Sequence, residues 1–226
     1  MKNVLITGCS RGLGSVIVEE LVTRGCNVVP HFRTSGSYIN FEKTPSIVLG
    51  DINETLTRSQ ISDSLKKHNI DVFVNNASIY KKSLLTEHSE QDIIKIITTN
   101  LISQILIIQR VCKWFQKKGS GLIINVNSIA GRQPAPEESI YAATKFGLRG
   151  FSQSLQVELI NSNIKIVDIY PGAMKTDMTI DREDYDQLID PLEVADIVCN
   201  TVLSSNVTSL TTEIIIRKFI SKELTK

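Results

Sequence analysis

Short apolar runs alternate with amphipathic helical stretches along the whole 226-residue chain, and this alternation restricts the fold more than any other feature. A parallel strand is buried on both faces, so it reads as a continuous apolar run. Its connection to the next parallel strand needs a crossover, usually a helix. Runs of this kind fall at residues 4–7, 27–31, 46–49, 72–75, 121–126, 165–169 and 213–217. Apolar residues at three- and four-residue spacing fall over 13–24, 55–67, 91–117, 139–160 and 193–203. The pattern predicts an α/β fold, a doubly wound parallel sheet of about seven strands with helices on both faces. No Pro/Gly/Ser linker or long repeat divides the chain, so residues 1–226 are expected to form one domain. Residues 33–45, with Gly36 and Pro45, are expected to form a loop. So is the stretch 172–190, dense in acids at Asp177, Asp181, Glu183, Asp184, Asp186 and Asp190 and of the kind that serves as a lid.

Composition narrows the partners. The 25 Lys and Arg against 24 Asp and Glu leave a net charge of +1, too little for the phosphate-neutralising field of a nucleic-acid binder. Cys9, Cys26, Cys112 and Cys199 are far apart, and His31, His68 and His88 have no ligand spacing, so no metal site is expected. The histidines read as structural or surface residues. The first apolar run is shorter than a signal segment, which with four scattered cysteines that suggest no disulfide framework points to a reducing, cytoplasmic setting. The isoleucine-rich stretch 93–111 is interrupted by Lys95, Asn100 and Gln104 and is read as a buried helix rather than a membrane span.

The first strand runs into Thr7-Gly8-Cys9-Ser10-Arg11-Gly12-Leu13-Gly14 and then a helix. Glycines there allow a tight turn and close approach of a pyrophosphate, while the helix N-terminus offers unpaired N–H groups and a positive dipole. The second strand ends Pro30-His31-Phe32-Arg33, with no carboxylate to accept from an adenosine ribose 2′-OH. Arg11 and Arg33 are placed to converge on a 2′-phosphate instead, favouring NADP over NAD. On these residues alone, an empty glycine turn and two solvated arginines stay open.

Tyr141 and Lys145 lie four residues apart on one helical face, 13 residues after Ser128 at the end of the fifth strand. A free phenol titrates near 10, so acid–base work near neutrality calls for a fixed cation to stabilise the phenolate. Taken singly, a Tyr-x-x-x-Lys pair is also a common surface arrangement.

In this order the motifs resemble those of the short-chain dehydrogenase/reductase family over nearly the whole chain. The resemblance implies a Rossmann fold and assigns the cofactor turn to Thr7, Gly8, Ser10, Arg11, Gly12, Leu13 and Gly14. It assigns sheet stabilisation beside the cofactor to Asn75, Asn76 and Ala77, the adenine-side turn to Gly50, Asp51 and Ile52, and the nicotinamide side to Pro171, Gly172 and Thr176. It also implies a catalytic tetrad of Asn100, Ser128, Tyr141 and Lys145. Tyr141 would exchange a proton with a carbonyl or alcohol oxygen, and Ser128 would orient that oxygen. Lys145 would lower the Tyr141 pKa and hold the nicotinamide ribose, and Asn100 would anchor a water in a relay through Lys145. Pairing of the helices 91–117 and 139–160 into homodimers or homotetramers is likewise implied.

The chain departs from the family pattern at Ser78, where Gly is usual after Asn-Asn-Ala, and near the last strand, which lacks Asp-Gly-Gly. The segment 171–179 is similar to that of 3-oxoacyl-[acyl-carrier-protein] reductases, which implies a carbonyl or alcohol substrate that is acyl-carrier-linked. Arg132, Lys117 and Lys118 are candidates for meeting an acidic carrier. A sugar, polyol or small ketone remains an alternative, as does a catalytically silent nucleotide-binding sensor, although a sensor has no need of all four tetrad residues.

Overall fold

The computed structural model describes residues 1–34, 44, 46–204 and 211–218. Its strands are β1 (Asn3–Ile6), β2 (Asn27–Phe32), β3 (Val48–Leu49), β4 (Val72–Asn75), β5 (Gly121–Val126), β6 (Ile164–Pro171) and β7 (Glu213–Ile216). They form one sheet in the order β3-β2-β1-β4-β5-β6-β7, every pair parallel. The helices are α1 (Gly12–Thr23), α2 (Thr55–Lys67), α3 (Glu90–Ile97), α4 (Ser103–Lys118), α5 (Ser139–Glu158) and α6 (Pro191–Leu203).

The continuous apolar runs arise because both faces of the sheet are covered. In β1, Val4 and Ile6 enter a core with Ile17, Leu21 and Val198 of α1 and α6. Leu5 between them enters a second core with Ile61, Ile107, Phe115 and Leu148 of α2, α4 and α5. All seven expected strands are present, with small shifts in their ends. β3 keeps only two of the four residues expected, and β6 continues to Pro171. Of the predicted loop 33–45, Arg33, Thr34 and Thr44 are described and the rest lies outside the described residues.

Strand order reverses between β1 and β4, the point where an open parallel sheet forms its ligand crevice. Helices α3 and α4 are continuous through a widened π turn, Thr98–Ile102, making one helix Glu90–Lys118. By length and composition this helix is apolar enough to cross a membrane, so the expectation that Lys95, Asn100 and Gln104 disqualify it is corrected. In this fold its Ile107, Ile108, Val111 and Phe115 are buried against the sheet, and Asn100 and Gln104 are buried in hydrogen bonds. Trp114 donates to the Ile70 carbonyl at the far end.

One row of the sheet is polar. Asn75, Asn125, Asp168 and Glu213 are register partners on four adjacent strands, β4 to β7. Asn75 donates to Asn125 at 3.0 Å, and Asn125 donates to Asp168 at 2.8 Å. The Tyr170 hydroxyl joins Glu213, at 3.1 Å, to Asp168, at 3.4 Å. At one end Gln104 accepts from Asn75 and donates to the Ala77 carbonyl, and at the other Arg132 pairs with Glu213 at 2.5 Å. Buried polar groups require such partners, and this row ties the loops after β4 and β5 to the sheet.

Candidate active site

The turn after β1 is held against the end of β4. The Thr7 hydroxyl accepts from the backbone N–H groups of Asn76 and Ala77, each at 3.1 Å, and Asn76 Nδ2 donates to the carbonyls of Thr7 and Gly8 at 3.0 Å. Two glycines are required by this packing. Gly8 has φ +74°, and a Cβ there would lie 2.6 Å from the Ala77 Cα; a Cβ on Gly14 would lie 2.2 Å from the Gly8 carbonyl oxygen. His31, the fifth residue of β2, completes the turn from beneath. Its Nδ1 accepts from Gly8 N–H at 3.3 Å, and its Nε2 lies 2.9 Å from the Gly50 carbonyl. Burial lowers its pKa, consistent with a neutral ring that donates through Nε2 and accepts through Nδ1. The histidine thus joins the turns after β1 and β3, a role more specific than the structural or surface residue expected.

A cleft of about 1240 Å³ opens over the strand ends at the switch point. Among the residues the motifs singled out, its walls contain Gly8, Ser10, Arg11, Gly12, Leu13, Gly14, Arg33, Asp51, Ile52, Asn76, Ala77, Tyr141, Lys145 and Thr176. Thr7, Asn75, Asn100, Ser128, Pro171 and Gly172 are not in those walls. Thr7 and Asn75 are buried and hold the walls in place, Pro171 ends β6, and Gly172 donates to the Ile216 carbonyl. Asp51 accepts from Asn53 N–H, fixing the turn before α2.

These residues fit a dinucleotide. The glycine turn leaves no room for a side chain against its own backbone, the N-terminus of α1 faces the cleft, and the residues after β2 are Arg33 and Thr34 rather than a carboxylate. Arg33 lies exposed at the wall, whereas Arg11 is 3.6 Å from Asp177 in a solvated ion pair.

Tyr141 and Lys145 project from the first turns of α5. Hydrogen bonding with Ser128 and Ser78 draws the Tyr141 pKa downward, but burial dominates and, with the nearby Glu138 charge, pushes the phenol up to about 12. Burial likewise depresses the Lys145 ammonium to about 8. Lys145 Nζ lies over the Tyr141 ring, 5.5 Å from its centroid, and donates to the Val126 carbonyl at 3.3 Å. The phenol therefore stands above its ordinary value, where Lys145 was expected to lower it. The two charged forms share one dry site, and the cation sits on the ring face.

Asn100, expected to anchor a water, uses its side chain within the fold. The π turn directs its side chain to the loop after β4, where Oδ1 accepts from Ile79 N–H at 2.9 Å and from the Ser78 hydroxyl at 3.1 Å, and Nδ2 donates to the Ile79 carbonyl. Both ends of the amide clamp that loop. Ser78, the departure from Gly, thereby links Asn100 to Tyr141. Beside them Tyr80 meets Tyr141 edge to face, centroids 5.0 Å apart, and donates to Glu138 Oε1 at 2.7 Å. Sequence reasoning missed Tyr80 and Glu138, and the only available signal was the position of Glu138 three residues before Tyr141. Arg132 and Lys118, candidates for a carrier, are held within the chain by Glu213 and by Asp71.

A switch-point cleft with a glycine turn at one end and a Ser–Tyr–Lys group at the other defines a dinucleotide-dependent oxidoreductase. The family model described as short chain dehydrogenase matches residues 2–187, and the chain belongs to that family as an NAD(P)-dependent oxidoreductase. It is 35% identical over 188 residues to the 3-oxoacyl-[acyl-carrier-protein] reductase FabG of Chlamydia trachomatis, covering 79% of this chain and 76% of that one. Against the FabG of Salmonella typhimurium it is 32% identical, covering 79% and 75%. A short chain dehydrogenase from Burkholderia cenocepacia, solved in complex with NADP, superposes with a TM-score of 0.84 at 25% identity, covering 95% and 96%.

Proposed function

We propose that the chain is an NADP(H)-dependent enzyme interconverting a carbonyl and a secondary alcohol, with a 3-oxoacyl thioester as its substrate class. The observation that carries the reading is the pair Tyr141 and Lys145 in the wall of a cleft whose other end is the glycine turn, with Ser128 hydrogen-bonded to the phenol. The bound nicotinamide would supply or accept a hydride. Gly8, Ser10, Arg11, Gly12, Leu13 and Gly14 would hold the dinucleotide phosphates, Arg33 with Arg11 the 2′-phosphate, and Asp51 and Ile52 the adenine side. Lys145 and Thr176 would lie toward the nicotinamide, with Pro171 and Gly172 shaping that end. Thr7, Asn75, Asn76 and Ala77 would keep the turn in place.

In reduction, Tyr141 gives its hydroxyl proton to the substrate oxygen, and Ser128 donates a hydrogen bond to that oxygen as charge develops on it. The phenolate left behind would lie beside the Lys145 ammonium and the Ser78 hydroxyl, against the burial that disfavours it. Asn100 contributes by holding the loop that carries Ser78. The acyl substrate class is supported by the FabG relatives, and the 2′-phosphate by the absence of a carboxylate after β2.

We further propose one domain over residues 1–226, with 172–190 as its substrate loop, acting in the cytoplasm. A homodimer or homotetramer would form through α3–α4 and α5, whose exposed Ile94, Ile102, Leu106 and Phe146 supply an apolar surface. The test is a screen of 3-oxoacyl thioesters, ketones, sugars and polyols with NADPH and NADH in parallel. The expected result is thioester reduction with NADPH, lost in Tyr141→Phe while NADPH still binds. Near-normal turnover by that variant would overturn the assignment.

A further inference from the structure

The loop after β4 and the first turn of α5 place a carboxylate beside Tyr141 by way of a second tyrosine. Glu138 precedes Tyr141 by three residues, one helical turn away, at the start of α5. The Tyr80 hydroxyl donates to its Oε1 at 2.7 Å, and the Tyr80 ring stands edge-on to the Tyr141 ring at an interplanar angle of 84°. The carboxylate is thus anchored from the side that faces the catalytic phenol.

We propose that Glu138, anchored by Tyr80, is a positioning residue that keeps Tyr141 protonated, so that carbonyl reduction persists to higher pH and alcohol oxidation begins later. The inference rests on Tyr141 being the acid–base group proposed above.

The physical basis is Coulombic. Forming a phenolate beside a fixed carboxylate is unfavourable, and Tyr141 is itself buried, which weakens the screening on its side of the pair. The other groups facing Tyr141 have different effects. On α5, Lys145 lies over the ring, and Ser128 and Ser78, from the loops after β5 and β4, favour the phenolate through hydrogen bonds. From the loop 172–190, Arg182 lies close enough for Tyr80 and Glu138 to hold its guanidinium charged, but two hydrogen bonds at 2.8 and 2.9 Å tie it to Asp184. Glu137, beside Glu138, is paired with Lys82 at 2.9 Å in solvent. Glu138 is therefore the acid whose charge falls on the phenol, and Tyr80 acts through it.

The experiment follows Tyr141 directly, without substrate. The ultraviolet tyrosinate signal is titrated upward from neutral pH, with Tyr141→Phe subtracted, and circular dichroism marks the onset of alkaline unfolding. Glu138→Gln keeps the shape and removes the charge, so ionisation should move down by about 0.5 to 1 pH unit. Tyr80→Phe keeps the ring and frees the carboxylate, and should move ionisation the same way by a smaller amount. In the Glu138→Gln background, Tyr80→Phe should add nothing further. The alkaline limb of kcat/KM for alcohol oxidation should follow the same order.

An unmoved titration in Glu138→Gln overturns the proposal, as does a Tyr80→Phe shift that is undiminished in the double variant. Because the titration requires no turnover, failure of the oxidoreductase reading would appear separately, as absent activity with the shifts intact.

Discussion

Removing the charge of Asp168 should change how stability depends on pH. This carboxyl is fully buried in the polar row. Burial raises its pKa to about 6, and the Glu213 charge adds to that against hydrogen bonds from Ser152, Asn125 and Tyr170. Against the ordinary 3.8 of an aspartic acid, this rise corresponds to ~3 kcal/mol of differential interaction between its two protonation states. The sign follows from proton binding. Between roughly pH 4 and 6 the folded chain holds a proton at Asp168 that the unfolded chain has lost, so this group's contribution makes stability fall as pH rises. Below that window the contribution vanishes, and above it the full ~3 kcal/mol cost applies.

Asp168→Asn removes the titration while leaving an oxygen to accept from Asn125. Urea unfolding of both proteins, followed by circular dichroism from about pH 4 to 7, should give a stability difference that shifts in favour of the variant by ~3 kcal/mol across the range. Any constant cost of the altered hydrogen bonds drops out of that pH dependence. A difference that stays flat with pH, at unchanged m-value, would refute the argument that an ionised carboxylate strains the row.

Three further outcomes test other parts of the site. Gly14→Ala would drive a methyl group to 2.2 Å from the Gly8 carbonyl and 2.6 Å from Asn76 Nδ2, so it should cost roughly 2–4 kcal/mol in urea unfolding and weaken NADPH binding in a fluorescence titration. Arg33→Ala should raise the KM for NADPH by about tenfold or more and leave that for NADH nearly unchanged, and an unchanged ratio of the two would remove the 2′-phosphate assignment. Ser128→Ala should lower kcat by on the order of a hundredfold with little change in KM, and an effect confined to KM would place the hydroxyl in ground-state binding.

The parts of this protein that were legible in its sequence are those encoded by local spacing. Apolar runs located every strand, because each lies between two helical layers, and the glycine turn and the Tyr141–Lys145 pair follow from fixed offsets along the chain. What was not legible depends on neighbours chosen by the fold. Asp168 and Glu213 are 45 positions apart in sequence and become register partners only because β7 adds beside β6. Tyr80 reaches Glu138 only because the loop after β4 passes over the start of α5. Helical periodicity likewise cannot announce the π turn that directs Asn100 into the loop after β4, since one extra residue per turn leaves the composition unchanged.

The same distinction alters the electrostatics of the cleft. The stretch 172–190 carries six acids, yet Asp177 faces Arg11, and Asp184 holds Arg182 with two hydrogen bonds. Pairing cancels much of the long-range field of these groups, and what remains in solvent is screened within about 10 Å at ordinary ionic strength. The pair with Arg11 is exposed and long, so a cofactor phosphate that meets the guanidinium more closely would displace Asp177 at little cost. On the proposal above, the charge nearest the chemistry is then the carboxylate of Glu138, held by the Tyr80 hydroxyl and one helical turn from the phenol.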